Sequence, residues 1–402
     1  MFNRTLSLLT FCQFLSVSGT VLVVTLGGII GTTLSPDPAL ATLPLSVMVV
    51  GTAAATVFAS MLMARIGRRA GFVLGACIAL VGAGIAAWSL TAGAFLPFCI
   101  GIGLFGVNGA FVQQYRFAAA ESVGPAHAAN ALSIILVGSI GGALLGPWLA
   151  TSAVAGADEH AAVSYLPAIA AIAVLQLLNA VVLLGLRDAA PTRGPVPAGG
   201  EARPLGEILR QPRYVVAMLG GMVGYGTMTL VMTATPIDMH VGHGFSMADT
   251  GAVIRSHVLA MYLPSLVSGP LIGALGAPRM MFVGVLTLLG TVVVGVQGHD
   301  YHHYWWSMVL LGVGWNFLYV GGTALLMQAY RESEKFAAQA VNEFAVFGCS
   351  AAASLAAGSV IHLFGWNTLL LAAAPVLVLM LLGLWWLRVT TLSRAPAGPA
   401  AG

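Results

Sequence analysis

Two short segments of this chain place side chains that bind soft metals four residues apart. MTLVM brings Met228 and Met232 onto one helix face, and HVLAM does the same for His257 and Met261. Thioether and imidazole ligands select copper, and three methionines with one histidine favour Cu(I). Methionine pairs also serve as adaptable packing in apolar helices, whereas an ionisable histidine inside a membrane span is costly and usually functional. The two segments therefore predict either a copper site or helix packing.

Further candidate ligands stand in two polar stretches that separate apolar segments. They are Met239, His240, His243, His299, His302 and His303. These residues are either part of solvated loops or the lining of a mouth that collects metal ions above the paired ligands. Four cysteines show no CxxC spacing, so neither a disulfide framework nor a zinc site is indicated.

The composition identifies the elements that must position these side chains. Of 402 residues, 58% are hydrophobic and 7% are charged, whereas roughly a quarter of the residues in soluble domains are charged. This balance predicts an integral membrane protein. No nucleotide-binding loop is present, since the single lysine, Lys335, follows no glycine-rich motif. We therefore expect neither an enzyme nor an ATP-driven pump, and no nucleic-acid partner.

Twelve apolar segments have the length of about twenty residues that a bilayer crossing requires. Between the sixth and seventh lies a polar stretch rich in Pro, Gly and charge, residues 188–213, which we interpret as a linker. The sequence thus predicts an all-α membrane protein with six spans on each side of a linker. The predicted spans are 8–32, 41–64, 71–92, 94–114, 129–152, 163–187, 214–238, 250–275, 279–298, 303–329, 337–362 and 366–387.

Basic residues indicate the orientation of these spans. All sixteen Lys and Arg residues except Arg255 fall on the side of the N-terminus and the linker. Cytoplasmic loops retain basic residues. We therefore expect both termini and the linker to be cytoplasmic.

The two sets of spans also resemble each other. SMLMARIGRR follows the second span and GPLIGALGAPR the eighth, with Gly67 matching Gly276. QQYR at 113–116 pairs with QAYR at 328–331 at the ends of the fourth and tenth spans. The chain is similar in these respects to major facilitator transporters. The resemblance implies two pseudo-symmetric six-helix halves, residues 1–187 and 214–402, with a substrate site near the midplane between them.

The loop after the second span resembles the gating loop motif of that family. The residues that match are Arg65, Gly67, Arg68 and Arg69. Ser60 replaces the glycine of the motif and Ala64 replaces its aspartate, which removes the acid of the usual ion pair. The resemblance therefore implies the fold and alternating access, but not this gating detail.

Depth arithmetic relates the two paired segments. At 1.5 Å per residue, Met232 and His257 lie roughly 9 to 10 Å below the outer end of their spans, and Met228 and Met261 roughly 15 to 16 Å. If the seventh and eighth spans are neighbours, these residues form two layers of ligands.

The paired motifs in a facilitator fold resemble bacterial CcoA-like copper importers of the cytochrome-oxidase-assembly type. The resemblance implies Met228, Met232, His257 and Met261 as ligands of copper, which is substrate and not cofactor. It further implies import across the bacterial inner membrane, supply of a cbb3-type oxidase, and copper chaperones as candidate partners. We expect a monomer.

Other residues are candidates for passing the ion or coupling its movement. Met48 and Cys349 are candidate relay ligands within the membrane, and Met239, His240 and His243 at the mouth. Two acids are candidates for proton coupling, namely Asp238 and Glu343. The alternative for Glu343 is a structural pair with Arg116 or Arg331.

Riboflavin importers of the same superfamily branch provide the main alternative. They lack the Met and His pairs, and aromatic residues would stack on their substrate. The candidates here are Tyr225, Tyr262, Trp305, Trp306 and Trp315, although Trp and Tyr also anchor span ends at the membrane interface. A membrane sensor or metallation factor that does not transport is the alternative from another class.

Overall fold

The computed structural model describes residues 3–35, 40, 43–153, 161–187 and 203–392. These residues are almost entirely helical, and twelve segments among them are long and apolar enough to cross a membrane. The prediction of twelve spans is therefore confirmed. The helices are α1 (Arg4–Leu34), α2 (Leu43–Ile66), α3 (Arg68–Ala92), α4 (Phe95–Val112), α5 (Tyr115–Val123), α6 (Ala128–Ala153), α7 (Leu166–Leu184), α8 (Leu205–Leu209), α9 (Pro212–Pro236), α10 (Met247–Tyr262), α11 (Ser265–Leu275), α12 (Ala277–Gly295), α13 (Tyr301–Leu326) and α14 (Lys335–Leu392).

Three places depart from one helix per span. The fourth span consists of α4 and α5, and the eighth consists of α10 and α11. Pro264 stands between α10 and α11, where its missing N–H interrupts helical hydrogen bonding. The last two spans are together labelled α14, but they are two helices separated by non-helical backbone at Gly365, where φ is 74°.

Gly67 and Gly276 occupy equivalent turns in the two sets of spans. Gly67 links α2 to α3 at φ 85° and ψ 162°, and Gly276 links α11 to α12 at φ 83° and ψ 150°. Only glycine adopts this backbone conformation readily. The repeat seen in the sequence thus reappears as a repeated turn, which explains why the motif contains glycine.

Each set of six spans packs mainly within itself. In the first set, α1 packs on α6, and both α2 and α3 pack on α4; in the second, α9 packs on α14, and α12 on α13. Among the described residues, the most extensive contacts between the sets are those of α2 with α14 and of α6 with α11. We call residues 3–187 the N-terminal half and residues 203–392 the C-terminal half.

The end of the linker is bonded to the C-terminal half. Arg203 donates from Nε to Glu334 Oε1 at 2.8 Å and from Nη2 to Glu334 Oε2 at 2.6 Å. This hydrogen bonding raises the pKa of the Arg203 guanidinium above its ordinary value. Residues 188–202 lie outside the described part of the chain, and the predicted limits of the linker and the two halves stay predictions. We call the membrane face where α1 and α9 begin the linker face.

Candidate functional site

The paired Met and His segments lie on helices that are not neighbours. Both α9 and α10 pack extensively on α13, and within the described residues they form no substantial interface with each other. The assumption of adjacent seventh and eighth spans, on which the two ligand layers depended, is therefore wrong. The ligand roles of Met228, Met232, His257 and Met261 stay predictions.

His257 nevertheless retains a free ring nitrogen inside the protein. Its Nδ1 donates to the carbonyl of Met308 on α13 at 2.8 Å, and the side chain is fully buried. Its Nε2 has no hydrogen-bond partner in the described ranges. Thr235 on α9 donates to the Met308 sulfur at 3.3 Å. Met308 thus lies between the two paired segments, a thioether position that the sequence analysis did not identify.

The candidate relay residues are dispersed. Met48 packs against a core cluster of the N-terminal half, whereas Cys349 faces Gly226 on α9, where an added Cβ would be 3.1 Å from the thiol sulfur. Met239 is fully buried. The side chain of His240 lies outside the part that the structure describes. The relay stays a prediction without a continuous set of contacts.

A polar cluster stands at the face opposite the linker. It consists of Asp238, His243, His299 and Tyr304, and we call it the outer cluster. The Tyr304 hydroxyl donates to Asp238 Oδ2. The two imidazole rings are stacked, with centroids 4.1 Å apart. His302 contacts Tyr301 instead, and His303 lies 3.9 Å from Asp300.

A buried ion pair connects the two halves near the linker face. Arg116 Nη2 donates to Glu343 Oε1 at 2.5 Å, and Asn342 Nδ2 donates to the same oxygen at 2.8 Å. Glu343 is fully buried and Arg116 nearly so. Among the described residues, Arg116 Nε and Nη1 and Glu343 Oε2 have no hydrogen-bond partner. Of the two structural partners considered for Glu343, the structure therefore selects Arg116; the proton-coupling role stays a prediction.

Aromatic rings of the C-terminal half gather beside this pair. We call Tyr225, Tyr262, Trp315, Tyr319 and Phe347 the aromatic cluster. Trp315 stacks on Tyr319 with centroids 4.7 Å apart, and the Arg116 guanidinium lies 4.1 Å from the centre of the Tyr319 ring. Tyr319 also donates to Gln113 of the N-terminal half at 2.9 Å. The rings and the ion pair thus form one continuous site.

Only part of the aromatic cluster could be identified from the sequence. Tyr225, Tyr262 and Trp315 belong to it, but Trp305 bonds to Ser256 and Trp306 is exposed. Tyr319 and Phe347 were missed. Tyr319 follows Trp315 by one helical turn, so helical spacing was the available signal.

Polar contacts join the two halves at the linker face. Arg68 bonds to Glu121 of its own half at 2.7 Å and to Gln339 of the other half at 3.1 Å. Lys335 bonds to Glu121 at 3.2 Å, and Ser60 donates to the carbonyl of Phe336 at 2.8 Å. Arg68 belongs to the loop motif and thus joins the two halves.

The remaining residues of the motif are placed differently. Gly67 forms the turn, and Arg65 and Arg69 are exposed. Although the motif aspartate is replaced by Ala64, Glu121 supplies an acid for Arg68 from α5. Their gating role stays a prediction.

The fold and the sequence define the class of protein. The sequence model of the Major Facilitator Superfamily matches residues 6–255 and 217–402, and the chain belongs to this superfamily. It is a multi-pass membrane carrier and not an enzyme.

Individual proteins resemble this chain in sequence, in structure, or in both. The riboflavin transporter RfnT of Brucella anthropi is 37% identical over 99% of this chain and 98% of its own length. The MFS-type transporter YddS of Bacillus subtilis, itself uncharacterized, is 28% identical over 96% of this chain and 92% of its own. The transporter FucP in its outward conformation has a TM-score of 0.80 at 14% identity, covering 96% of this chain and 99% of FucP.

These relatives change the weight of the two transport hypotheses. They do not support the expected membership among CcoA-like copper importers. They also do not support the expected link to cytochrome oxidase assembly. The likeness to FucP concerns the fold alone.

Proposed function

We propose that this protein imports riboflavin or a closely related flavin by alternating access. The observation that carries the proposal is the aromatic cluster joined to a buried ion pair with unpartnered polar atoms. The relative that is 37% identical and named as a riboflavin transporter supports it. We further propose that the protein is a monomer in the bacterial inner membrane with both termini in the cytoplasm.

The ring system of a flavin matches the aromatic cluster in shape. It is flat and apolar on its faces, and aromatic rings in contact gain about 0.5–1.5 kcal/mol beyond the burial of their area. Tyr225 and Tyr262 are only half-buried, so their rings are the accessible part of the cluster. We expect the flavin to stack on Tyr225 and Tyr262.

The polar edge of a flavin matches the unpartnered atoms. Its pyrimidine edge presents carbonyl acceptors and an N–H donor. Arg116 Nε and Nη1 and Trp315 Nε1 are buried donors without partners among the described residues, and Glu343 Oε2 is an acceptor without one. Leaving buried polar groups unpaired costs about 1–3 kcal/mol each. A bound flavin would satisfy several of them at once.

Uptake in a riboflavin-auxotrophic bacterium tests the proposal. We expect labelled riboflavin uptake with the wild type, and a KM about tenfold higher in Tyr225→Ala and Tyr262→Ala, because about 1.4 kcal/mol of stacking is a factor of ten. Trp306→Ala is the matched control, since that ring is exposed and outside the cluster. Absence of riboflavin uptake by an abundant wild-type protein would refute the proposal.

Copper import remains the second candidate because of one observation, the buried unpartnered Nε2 of His257. Met228 and Met261 are buried in the same apolar core, so their sulfurs are shielded from water. Copper accumulation should be measured in the same cells with Met228→Ala/Met232→Ala and His257→Ala/Met261→Ala. Loss of copper uptake in both double variants, at normal abundance and without riboflavin uptake by the wild type, would favour copper over riboflavin.

A further inference from the structure

The outer cluster brings three metal-ligating atoms together at the face opposite the linker. His243 Nδ1 lies 3.7 Å from Asp238 Oδ2, and His299 Nδ1 lies 3.6 Å from the same oxygen. All three atoms lie within 4.8 Å of one another. The stacked rings, inclined by 12°, turn the same nitrogen toward one carboxylate.

We propose that Asp238, His243 and His299 bind a divalent transition metal ion of the zinc class. This site is separate from the central aromatic cluster, and the proposal does not depend on which substrate is transported.

The spacing of the three atoms fits a tetrahedral ion. Bonds of about 2.0–2.1 Å to nitrogen and oxygen place neighbouring ligand atoms about 3.3–3.4 Å apart. The two nitrogen–oxygen separations of 3.6 and 3.7 Å exceed this by a few tenths of an ångström, and the two nitrogens lie within 4.8 Å of each other. In the structure His243 Nδ1 bonds to the Asp238 carbonyl at 3.0 Å and His299 Nδ1 to the Tyr304 hydroxyl at 3.1 Å, so a metal ion would displace these two bonds. Small side-chain rotations would then complete three corners of a tetrahedron, and a water molecule would occupy the fourth.

The donor set selects among metals. Two imidazoles and one carboxylate suit zinc, cobalt and nickel, whereas magnesium and calcium prefer oxygen ligands alone and Cu(I) prefers sulfur. The proposed ion therefore differs from the Cu(I) that the paired Met segments would bind.

The surroundings of the three residues favour a bound ion. Tyr304 is buried and donates to Asp238 Oδ2, which is the kind of outer contact that orients a ligating carboxylate. The His243 and His299 side chains are 34% and 37% exposed, so an ion can reach them from water.

The ligands come from two separate connections of the C-terminal half. Asp238 and His243 follow α9, whereas His299 lies between α12 and α13. A bound ion would therefore tie these two connections together without touching the N-terminal half.

Cobalt titration of the purified full-length protein in detergent, without a histidine tag, tests the proposal. We expect the visible absorption of tetrahedral Co²⁺ at one equivalent, displaced by Zn²⁺. His243→Ala and His299→Ala should abolish it, and His302→Ala should retain it because His302 is exposed and outside the outer cluster. Each variant is first shown to be monodisperse.

Two results would overturn the proposal. One is a wild-type protein that gives no tetrahedral absorption; the other is equal loss of absorption in His302→Ala and the two cluster variants. Tyr304→Phe separates positioning from ligation. If Tyr304 only orients Asp238, this variant should keep the spectrum while its Co²⁺ affinity falls about 10–100-fold.

Discussion

Polar residues at the two membrane faces are connected differently. At the linker face, Arg68, Lys335 and Ser60 form hydrogen bonds that cross from one half to the other. At the opposite face, the bonds of the outer cluster stay within the C-terminal half. The first group must break when the linker face opens, whereas the second can persist through the whole transport cycle.

This difference separates residues that set the conformational equilibrium from residues that hold one half together. An interaction between the halves stabilises only the state in which they meet, so its removal shifts populations. An interaction within one half is present in both states and shifts nothing.

Removal of one partner of the buried ion pair should have the largest effect. Arg116→Gln leaves the Glu343 carboxylate without its partner, and such a change costs about 3–5 kcal/mol. We expect loss of substrate uptake and a lower melting temperature in detergent. The double variant Arg116→Gln/Glu343→Gln should be more stable than either single variant, because neither group is then charged; a double variant as unstable as the sum of the singles would contradict the pairing.

Glu343→Gln also tests proton coupling directly. We expect the uptake that this variant retains to be independent of an imposed pH gradient to which uptake by the wild type responds. An unchanged response would limit Glu343 to its structural pair with Arg116.

The close approach of α11 to α6 should be the next most sensitive feature. A Cβ on Gly269 would lie 2.8 Å from the Asn130 Cα, so Gly269→Val should keep the halves apart and lower uptake at least about tenfold. Gly273→Val is the matched control, since nothing lies within 4 Å of a Cβ there. Equal uptake by the two variants would show that this contact does not govern closure.

Arg68 should have a smaller effect. Its charged hydrogen bonds are partly exposed, and their loss should shift the equilibrium toward an open linker face by about tenfold. Distances between one spin label at the C-terminal end of α2 and another at the N-terminal end of α14 would report the shift. Arg65→Ala removes an exposed arginine of the same motif and should leave the distances unchanged.

The outer cluster should have the smallest effect on transport. In chelator-treated medium, His299→Ala should keep uptake within about twofold of wild type, because its contacts do not join the halves. A tenfold loss would show that the cluster takes part in the conformational change.

The number of spans could be predicted from the sequence, but not which spans lie beside one another. Hydropathy reports span number because a membrane-spanning helix satisfies its own backbone hydrogen bonds, and the twelve spans followed from it. Gly67 was identified from the repeat between the two sets of spans. The neighbours of each span depend on packing between distant segments. For that reason α13 was not expected between α9 and α10, and Trp305 could not be told from Trp315. The approach of His299 to His243 likewise depends on two loops far apart in the chain.

The bond between Arg203 and Glu334 bears on how the polypeptide can be divided. A break within residues 188–202 leaves α8 and Arg203 covalently attached to the helices they contact, so two co-expressed fragments would each keep their internal bonds. A break just after residue 211 would require the same contact to form between separate molecules. Fragment complementation should therefore succeed more readily with the earlier cut.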